Sequence, residues 1–170
     1  VLHLALNVNL LRKDKLIPGH DAMKLVSQGF DDLNQYAKVW DNVASQLPNT
    51  DLDRKRNKTQ DVLAKLRIDH LAQKRVADLS GGEKQRVAIC RALINDPEVL
   101  LMDEPFNQVD AAFRDDLQQD IQQIVLDTGL TVVLVSHDPA EVLAMADYLV
   151  VMKNGHIVDQ GDPTDLYYRP

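Results

Sequence analysis

Apolar residues along the chain are spaced in three different ways. Residues 1–28 carry two short runs that are typical of extended strands, Leu2–Leu6, in which the alternation is nearly strict, and Met23–Ser27. Pro18-Gly19 lies between the two runs and predicts a turn. The first stretch is therefore expected to contribute two short strands separated by a turn.

The second stretch, residues 29–78, is polar and rich in helix-favouring side chains. Pro48–Asp51 interrupts it with residues that are typical of loops. The apolar positions set among its charged residues include Val62, Leu63, Leu66 and Ile68. This pattern predicts a helical subdomain at the surface of the protein.

From residue 79 onwards, helical spacing alternates with short, continuous apolar runs. The pattern first predicts a helix over 82–95, a strand over 99–102 and a second helix that stops at Thr128-Gly129. The apolar residues on one face of that second helix are Phe113, Leu117, Ile121, Ile124 and Val125. The pattern then predicts a strand over 131–135, a short helix opened by Asp138-Pro139, a strand over 148–152, and a hairpin turn at Asn154-Gly155 into 156–158. Strands that alternate with helices indicate a parallel α/β sheet with crossover helices. The apolar run 99–102 is typical of a strand that is covered on both faces.

Composition and charge narrow the class of protein. The chain has 170 residues, 45% of them hydrophobic, which suits a single folded domain and argues against intrinsic disorder. Its 19 basic and 26 acidic residues leave a net charge of −7, so a general affinity for nucleic acid is not expected. No apolar run approaches the about twenty residues that a membrane span needs. Cys90 is the only cysteine, which excludes an internal disulfide.

A candidate functional segment opens the helix over 82–95. Ser80 followed by Glu83 is a capping box, which marks the start of a helix. Gly81 and Gly82 allow another group to approach the backbone closely, and exposed amides at a helix N-terminus attract anions. An ordinary capped helix would explain these four residues equally well. The longer string Leu79–Arg86, however, resembles the signature motif of ATP-binding-cassette (ABC) ATPases.

Two further segments follow in the order of that family. Val99–Pro105 resembles the Walker B strand, and the resemblance implies that Asp103 holds Mg²⁺ through water while Glu104 orients the attacking water. Without the resemblance, an Asp-Glu pair after a strand is more typical of a helix N-cap. Residues 106–110 occupy the D-loop position, where Asp110 matches the family and the usual small residues are replaced by larger ones.

Two polar residues after predicted strands complete the resemblance. Val135–Asp138 resembles the switch segment of the family, which implies that His137 contacts the γ-phosphate of ATP. Leu25–Gln28 resembles the strand that leads to the Q-loop, and Asp41–Ala44 follows at the family's distance. The resemblance implies that Gln28 senses the metal and couples the core to the helical subdomain.

The family's Walker A sequence, Gly-x-x-x-x-Gly-Lys-Ser/Thr, occurs nowhere in the 170 residues. The nest of backbone amides, the phosphate-binding lysine and the Mg²⁺-binding hydroxyl of that loop are therefore absent from this sequence. The resemblance places the loop before Val1, so we expect an ABC domain whose N-terminal nucleotide-binding segment is not included. A degenerate relative is the alternative, although Glu104 and His137 argue for an active parent protein.

The resemblance extends over essentially the whole chain. It implies a P-loop NTPase-like α/β fold, with a parallel sheet core that lacks its N-terminal part. Residues 1–170 would form a single, partial ABC ATPase domain, with the helical subdomain at 29–78 and the catalytic core at 79–170. The site residues implied are Gln28, Ser80, Gly81, Gly82, Asp103, Glu104, Asp110 and His137.

The implied function is that of the ATP-binding domain of an ABC transporter, with ATP and Mg²⁺ as cofactors. The implied partners are a second nucleotide-binding domain, arranged head to tail, and transmembrane subunits that hold the domain at the cytoplasmic face of the cell membrane. The tail after Gly155 resembles that of importer-type domains. Non-transport ABC ATPases acting in chromosome maintenance or on ribosomes, and non-hydrolysing regulatory relatives, stay open as alternatives. The 170-residue chain by itself is expected to be inactive.

Overall fold

The computed structural model describes the backbone of residues 2–7 and 22–168 and the side chains of 22–168. These residues form two compact units. The sheet unit contains the described residues of 1–28, 98–105 and 122–170, and the helical unit contains 29–97 and 106–121. The turn predicted at Pro18-Gly19 lies outside the described residues.

The sheet unit is built on six strands. They are β1 (Leu2–Asn7), β2 (Met23–Val26), β3 (Val99–Asp103), β4 (Thr131–Ser136), β5 (Tyr148–Lys153) and β6 (His156–Gly161), and their order across the sheet is β2-β3-β4-β1-β5-β6. β2, β3 and β4 are parallel neighbours, as the alternation of strands and helices predicts. β1 runs antiparallel between β4 and β5, and β6 is antiparallel to β5. The α/β prediction is thus confirmed, with a parallel part at β2–β4 inside a mixed sheet.

Burial along β3 follows the pleat of the strand. Leu100 and Met102, on one face, are fully buried. Leu101, on the opposite face, is only half-buried, and its partner in register on β2, Leu25, is 60% exposed. Val99, on the same face as Leu101, is buried, so the strand that was predicted to be covered on both faces is covered completely at Leu100 and Met102 and only partly at Leu101.

The predicted hairpin connects β5 to β6. Asn154 and Gly155 both have a positive φ, 51° and 78°, which is the left-handed backbone of a two-residue hairpin loop. Asparagine and glycine adopt this conformation more easily than other residues do. The hairpin prediction is confirmed because it depended on local backbone chemistry alone.

The described residues form six α-helices. They are α1 (Val39–Ala44), α2 (Leu52–Lys65), α3 (Gly81–Leu93), α4 (Ala111–Thr128), α5 (Pro139–Met145) and α6 (Pro163–Tyr168). α3, α4 and α5 confirm the helices predicted after residue 79. None of the described helices is long and apolar enough to cross a membrane.

The apolar pattern did not predict α6, and it predicted burial for one side chain of α4 that is exposed. Asp162 accepts a hydrogen bond from the amide of Thr164 at 2.8 Å, so an Asp-Pro pair opens α6 as another opens α5. That signal would have found the helix. On α4, Leu117 and Ile121 are buried as their spacing predicts, whereas Phe113 in the first turn is 59% exposed.

The helical unit has its own core, formed where α1, α2 and α3 pack together. The apolar positions that the sequence places among charged residues here are all buried: Val62, Leu63, Leu66 and Ile68. Asp51 is the N-cap of α2, and its side chain accepts a hydrogen bond from the amide of Arg54 at 2.9 Å. The compact unit continues past residue 78, and the subdomain boundary predicted there stays a prediction.

Candidate functional site

Three neighbouring parallel strands bring four of the predicted site residues to one edge of the sheet unit. Gln28 follows β2, Asp103 ends β3 with Glu104 directly after it, and His137 follows β4. β2 is in register with β3, and β3 with β4, up to these ends. The carboxyl edge of a parallel sheet is where α/β proteins bind their ligands, so this edge is the candidate site.

Glu104 leaves the strand in an unusual backbone conformation. Its φ is 49°, in the left-handed region that residues other than glycine avoid, and its amide donates a hydrogen bond to the carbonyl of Val135 at 2.9 Å. Such a conformation costs about 1–3 kcal/mol, persists where the surrounding structure enforces it, and is often found at functional sites. The β4 carbonyl is the contact that holds the Glu104 backbone here.

The side chains of Glu104 and His137 meet. Nδ1 of His137 lies 2.7 Å from Oε1 of Glu104, and their side chains are 63% and 13% exposed. The hydrogen bond and charge of Glu104 raise the pKa of His137 above its ordinary value of 6.5, with smaller contributions from Glu141 and Asp138. The Glu104 carboxylate therefore favours the protonated form of the His137 imidazole.

This pairing predicts how His137 titrates in the protein without nucleotide. We expect its pKa to lie above 6.5 and to fall in the Glu104→Gln variant, because the amide carries no charge. Since the folded-state pKa is raised, the stabilisation from the pair is complete below the unfolded value and is lost as the pH rises through the folded pKa. NMR titration of the imidazole ring measures both values, with Glu98→Gln as a matched control. A His137 pKa that is the same in the Glu104→Gln variant would contradict the pairing.

One oxygen of the Glu104 carboxylate has no hydrogen-bond partner among the described residues. Oε2 is buried, while Oε1 is engaged by His137. Asp103, one residue earlier, is exposed. Within residues 22–168 no group of three or more His, Cys, Asp or Glu side chains forms a metal site. Mg²⁺ at nucleotide sites is held by one or two carboxylates together with phosphates and water, so this sparse donor set fits Mg²⁺ bound with a nucleotide.

The capping box predicted at the start of α3 is confirmed. The Ser80 hydroxyl accepts a hydrogen bond from the Glu83 amide at 3.3 Å, and the Ser80 amide donates to Oε2 of Glu83 at 2.7 Å. Partial burial acts to raise the pKa of Glu83, but the hydrogen bonds from Ser80 and the charges of Lys74 and His70 bring it below 4.5. The helix therefore starts at a fixed point.

The two glycines of this start differ in their surroundings. A Cβ on Gly81 would lie 2.6 Å from the carbonyl oxygen of Gln108, a distance that real Cβ atoms do not reach. A Cβ on Gly82 would meet only Cγ1 of Val109, at an ordinary 3.6 Å. Position 81 thus requires glycine because the backbone of the D-loop segment lies against it.

The D-loop segment itself is held by its apolar residues. Phe106 and Val109 are buried, and the Val109 amide donates to the carbonyl of Phe106 at 3.1 Å. Asp110 is exposed, and its carbonyl accepts hydrogen bonds from the first turn of α4. Phe106, one of the larger residues in place of the family's small ones, therefore anchors the loop.

The predicted site residues fall into two groups. Gln28, Asp103, Glu104 and His137 lie in the sheet unit, and Ser80, Gly81, Gly82 and Asp110 lie in the helical unit. Their roles stay predictions. Asp120, a buried aspartate on α4 that pairs with Arg86 of the signature string, was not predicted. A single aspartate on a helix carries no signal by which it could have been found.

Comparison with known proteins tests the predicted resemblance to ABC ATPases. A family model described as "ABC transporter" matches residues 6–107, which is more than half of the chain. The chain belongs to the ABC transporter family. This confirms the predicted family, while the roles assigned to individual motif residues stay predictions.

A solved structure similar to this ABC chain is that of CbiO1 from Clostridium perfringens, described as part of the ABC transporter complex CbiONQ. The two sequences are 29% identical, the TM-score is 0.81, and the match covers 86% of this chain. It covers 59% of the CbiO1 chain, so this chain spans less than two thirds of that relative. The predicted fold class, that of the P-loop NTPase core of ABC ATPases, is confirmed.

Proposed function

We propose that this ABC chain carries out part of an ATPase cycle that drives transport across a membrane. The observation that carries the proposal is the Glu104 carboxylate at the carboxyl edge of the sheet. One of its oxygens is held by His137 and the other is buried without a partner among residues 22–168. A carboxylate in this state is suited to accept a hydrogen bond and then a proton from a water molecule.

The sheet unit supplies one half of the proposed reaction centre. Glu104 orients the attacking water through Oε2 and takes its proton, while His137, largely exposed, donates a hydrogen bond to the γ-phosphate. Asp103 would hold Mg²⁺, and Gln28, which follows the neighbouring strand β2, would sense it. When bound with the nucleotide, Mg²⁺ would supply positive charge that offsets the charge developing as the terminal phosphoryl group is transferred to water. The residues of this chain contribute mainly by positioning the attacking water, the γ-phosphate and the metal.

The helical unit supplies the other half, to the nucleotide of a second copy arranged head to tail. Ser80 and the amides of Gly81 and Gly82 form the start of α3, where the helix dipole favours an anion. Asp110 is exposed and directly follows Gln108 and Val109, the two residues against which Gly81 and Gly82 lie. Charge complementarity between this helix start and a γ-phosphate supports the assignment.

We assign the binding of the ATP phosphates to a segment that is not part of this sequence. No Walker A motif occurs among the 170 residues, so a Walker A segment joined to the chain would supply the amide nest and the phosphate lysine. We call the protein in which this chain is joined to such a segment the Walker A-containing protein. Its transmembrane partners would hold it at the inner face of the cell membrane, as similarity to a part of the CbiONQ transporter complex supports.

Ser80→Arg is expected to stop ATP-dependent dimer formation without unfolding the domain. A bulky side chain at this helix start would occupy the space of the partner's γ-phosphate, whereas loss of the cap costs only about 1 kcal/mol. Light scattering of the Walker A-containing protein, made hydrolysis-deficient by Glu104→Gln, measures dimerisation with and without ATP.

Ser80→Ala is the matched control, because it removes the capping hydroxyl and adds no bulk. It should dimerise with ATP, although its stability falls by about the same 1 kcal/mol. Dimerisation of the arginine variant at the level of its Ser80 parent would overturn the proposed contact with the partner's nucleotide.

A further inference from the structure

The signature segment and the D-loop segment touch at the first residue of α3. The carbonyl oxygen of Gln108 lies so close to Gly81 that a Cβ there would be 2.6 Å from it. Gly82 packs beside Val109, which is itself buried. Because Val109 and Phe106 anchor the loop, this contact is made by backbone that is held in place.

A second contact joins the same two elements further along. Nη1 of Arg86, on α3, lies 2.5 Å from Oδ2 of Asp120 on α4, and it also donates to the carbonyl of Leu66 at 3.0 Å. The side chains of Arg86 and Asp120 are only 13% and 4% exposed. Arg67 binds the other oxygen of Asp120 at 2.8 Å, but its side chain is 61% exposed.

Two contacts that lie more than one helical turn apart restrain an element far better than one does. With the Gly81 contact alone, α3 could pivot about the D-loop, and with the Arg86–Asp120 pair alone its start could swing away. Both contacts lie within the helical unit, which takes in residues 106–121 together with α3, whereas β3 belongs to the sheet unit.

We propose that α3 and the segment 106–121 move as one rigid body, in which Arg86 and Asp120 are positioning residues for Ser80 and Asp110. The assignment of Ser80 and Asp110 to a partner's nucleotide rests on the proposed function. The rigid body ensures that these two residues reach that nucleotide together, in a fixed relation.

Distances between spin labels test the rigid body without ATP. Labels are placed on cysteines introduced at Lys84 and Asn107 of the 170-residue chain; native Cys90 is fully buried and stays unlabelled. Asp120→Asn and Arg86→Gln should each broaden the distance distribution, because a buried charge left without its partner forces the two elements apart. Circular dichroism establishes that each variant keeps its helices.

Arg67→Gln is the matched control for this ion-pair experiment. Arg67 contacts the same carboxylate from an exposed position, where ion pairs contribute little, so the distribution should stay narrow. A distribution as narrow as that of the parent in folded Asp120→Asn and Arg86→Gln chains would overturn the proposal. Equal broadening in all three variants would also overturn it, because the buried pair would then have no special part.

If the charge variants do not fold, alanine substitutions of the two glycines test the contact between α3 and the D-loop segment. Gly81→Ala should shift the label distance, because its Cβ displaces the Gln108 backbone, whereas Gly82→Ala should leave it unchanged. No shift in Gly81→Ala would contradict the contact between the two segments.

Steady-state kinetics of the Walker A-containing protein separate positioning from general stability. Asp120→Asn should lower kcat, by up to roughly 100-fold for a displacement of about 1 Å, and leave KM for ATP nearly unchanged. Asp120→Glu should recover part of the loss. If the protein hydrolyses no ATP at all, the proposed function fails, while the label distances still test the rigid body.

Discussion

Glu104→Gln is expected to lower ATP turnover by the Walker A-containing protein by about 10²–10⁴-fold while leaving ATP binding largely intact. The glutamine side chain has nearly the same size, so the backbone turn at Glu104 and the carbonyl contact from Val135 are retained. The amide cannot take a proton from water. It also loses the charge that holds His137 at 2.7 Å. Phosphate release under saturating MgATP measures turnover, and titration calorimetry measures binding.

Glu98→Gln is the matched control for that experiment. It makes the same chemical change on an exposed carboxylate at the opposite end of β3 and should leave turnover unchanged. Near-normal steady-state hydrolysis by the Glu104→Gln protein would remove Glu104 from the reaction. Loss of ATP binding in the same variant would assign the residue to ATP binding instead.

The 170-residue chain without a Walker A segment is expected to bind MgATP more weakly than about 1 mM, and addition of the segment to bring the dissociation constant to about 1 μM. The difference is about 4 kcal/mol of binding free energy. Its physical source is the amide nest and lysine that cradle the phosphates, since the residues of this chain act on the γ-phosphate and its metal. The net charge of −7 and the exposed Asp103 repel a triphosphate that no metal neutralises.

Isothermal titration of the chain with and without the added segment measures this effect. A third protein, with the Walker A lysine replaced by alanine, controls for stabilisation of the fold by the added residues. Micromolar binding by the unextended chain would show that it contains a phosphate site of its own. Equal, millimolar binding by all three proteins would exclude the proposed ATPase function.

Short-range features of this ABC chain were predictable because neighbouring residues determine them. The capping box at Ser80 and the hairpin at Asn154-Gly155 each depend on hydrogen bonds or φ angles within four residues or fewer. Helix α3 and strand β3 follow from the spacing of apolar side chains. α6 was missed although Asp162-Pro163 carries a start signal, because the helix is too short to show a periodic apolar face.

The sequence predicted which residues belong to the candidate site, but it did not predict the contacts between them. Motif order identified Glu104 and His137 as site residues, since each directly follows a buried strand. Their hydrogen bond, and the buried oxygen of Glu104 without a partner among the described residues, appear only when β3 and β4 lie side by side. The Asp120 pair with Arg86 had no local signature at all.

The sequence by itself determined the strands, the helices α3, α4 and α5, the start of the capped helix, and which polar residues follow the strands. These properties depend on local hydrogen bonding, backbone preference and the period of apolar side chains. The tertiary structure alone decided that β1 lies antiparallel between β4 and β5 and that Leu25, on the strand beside β3, is exposed. It also decided that Gly81 must lack a side chain because Gln108 lies against it. These features arise from contacts between residues far apart in the chain, and no local spacing encodes which distant segment will be the neighbour.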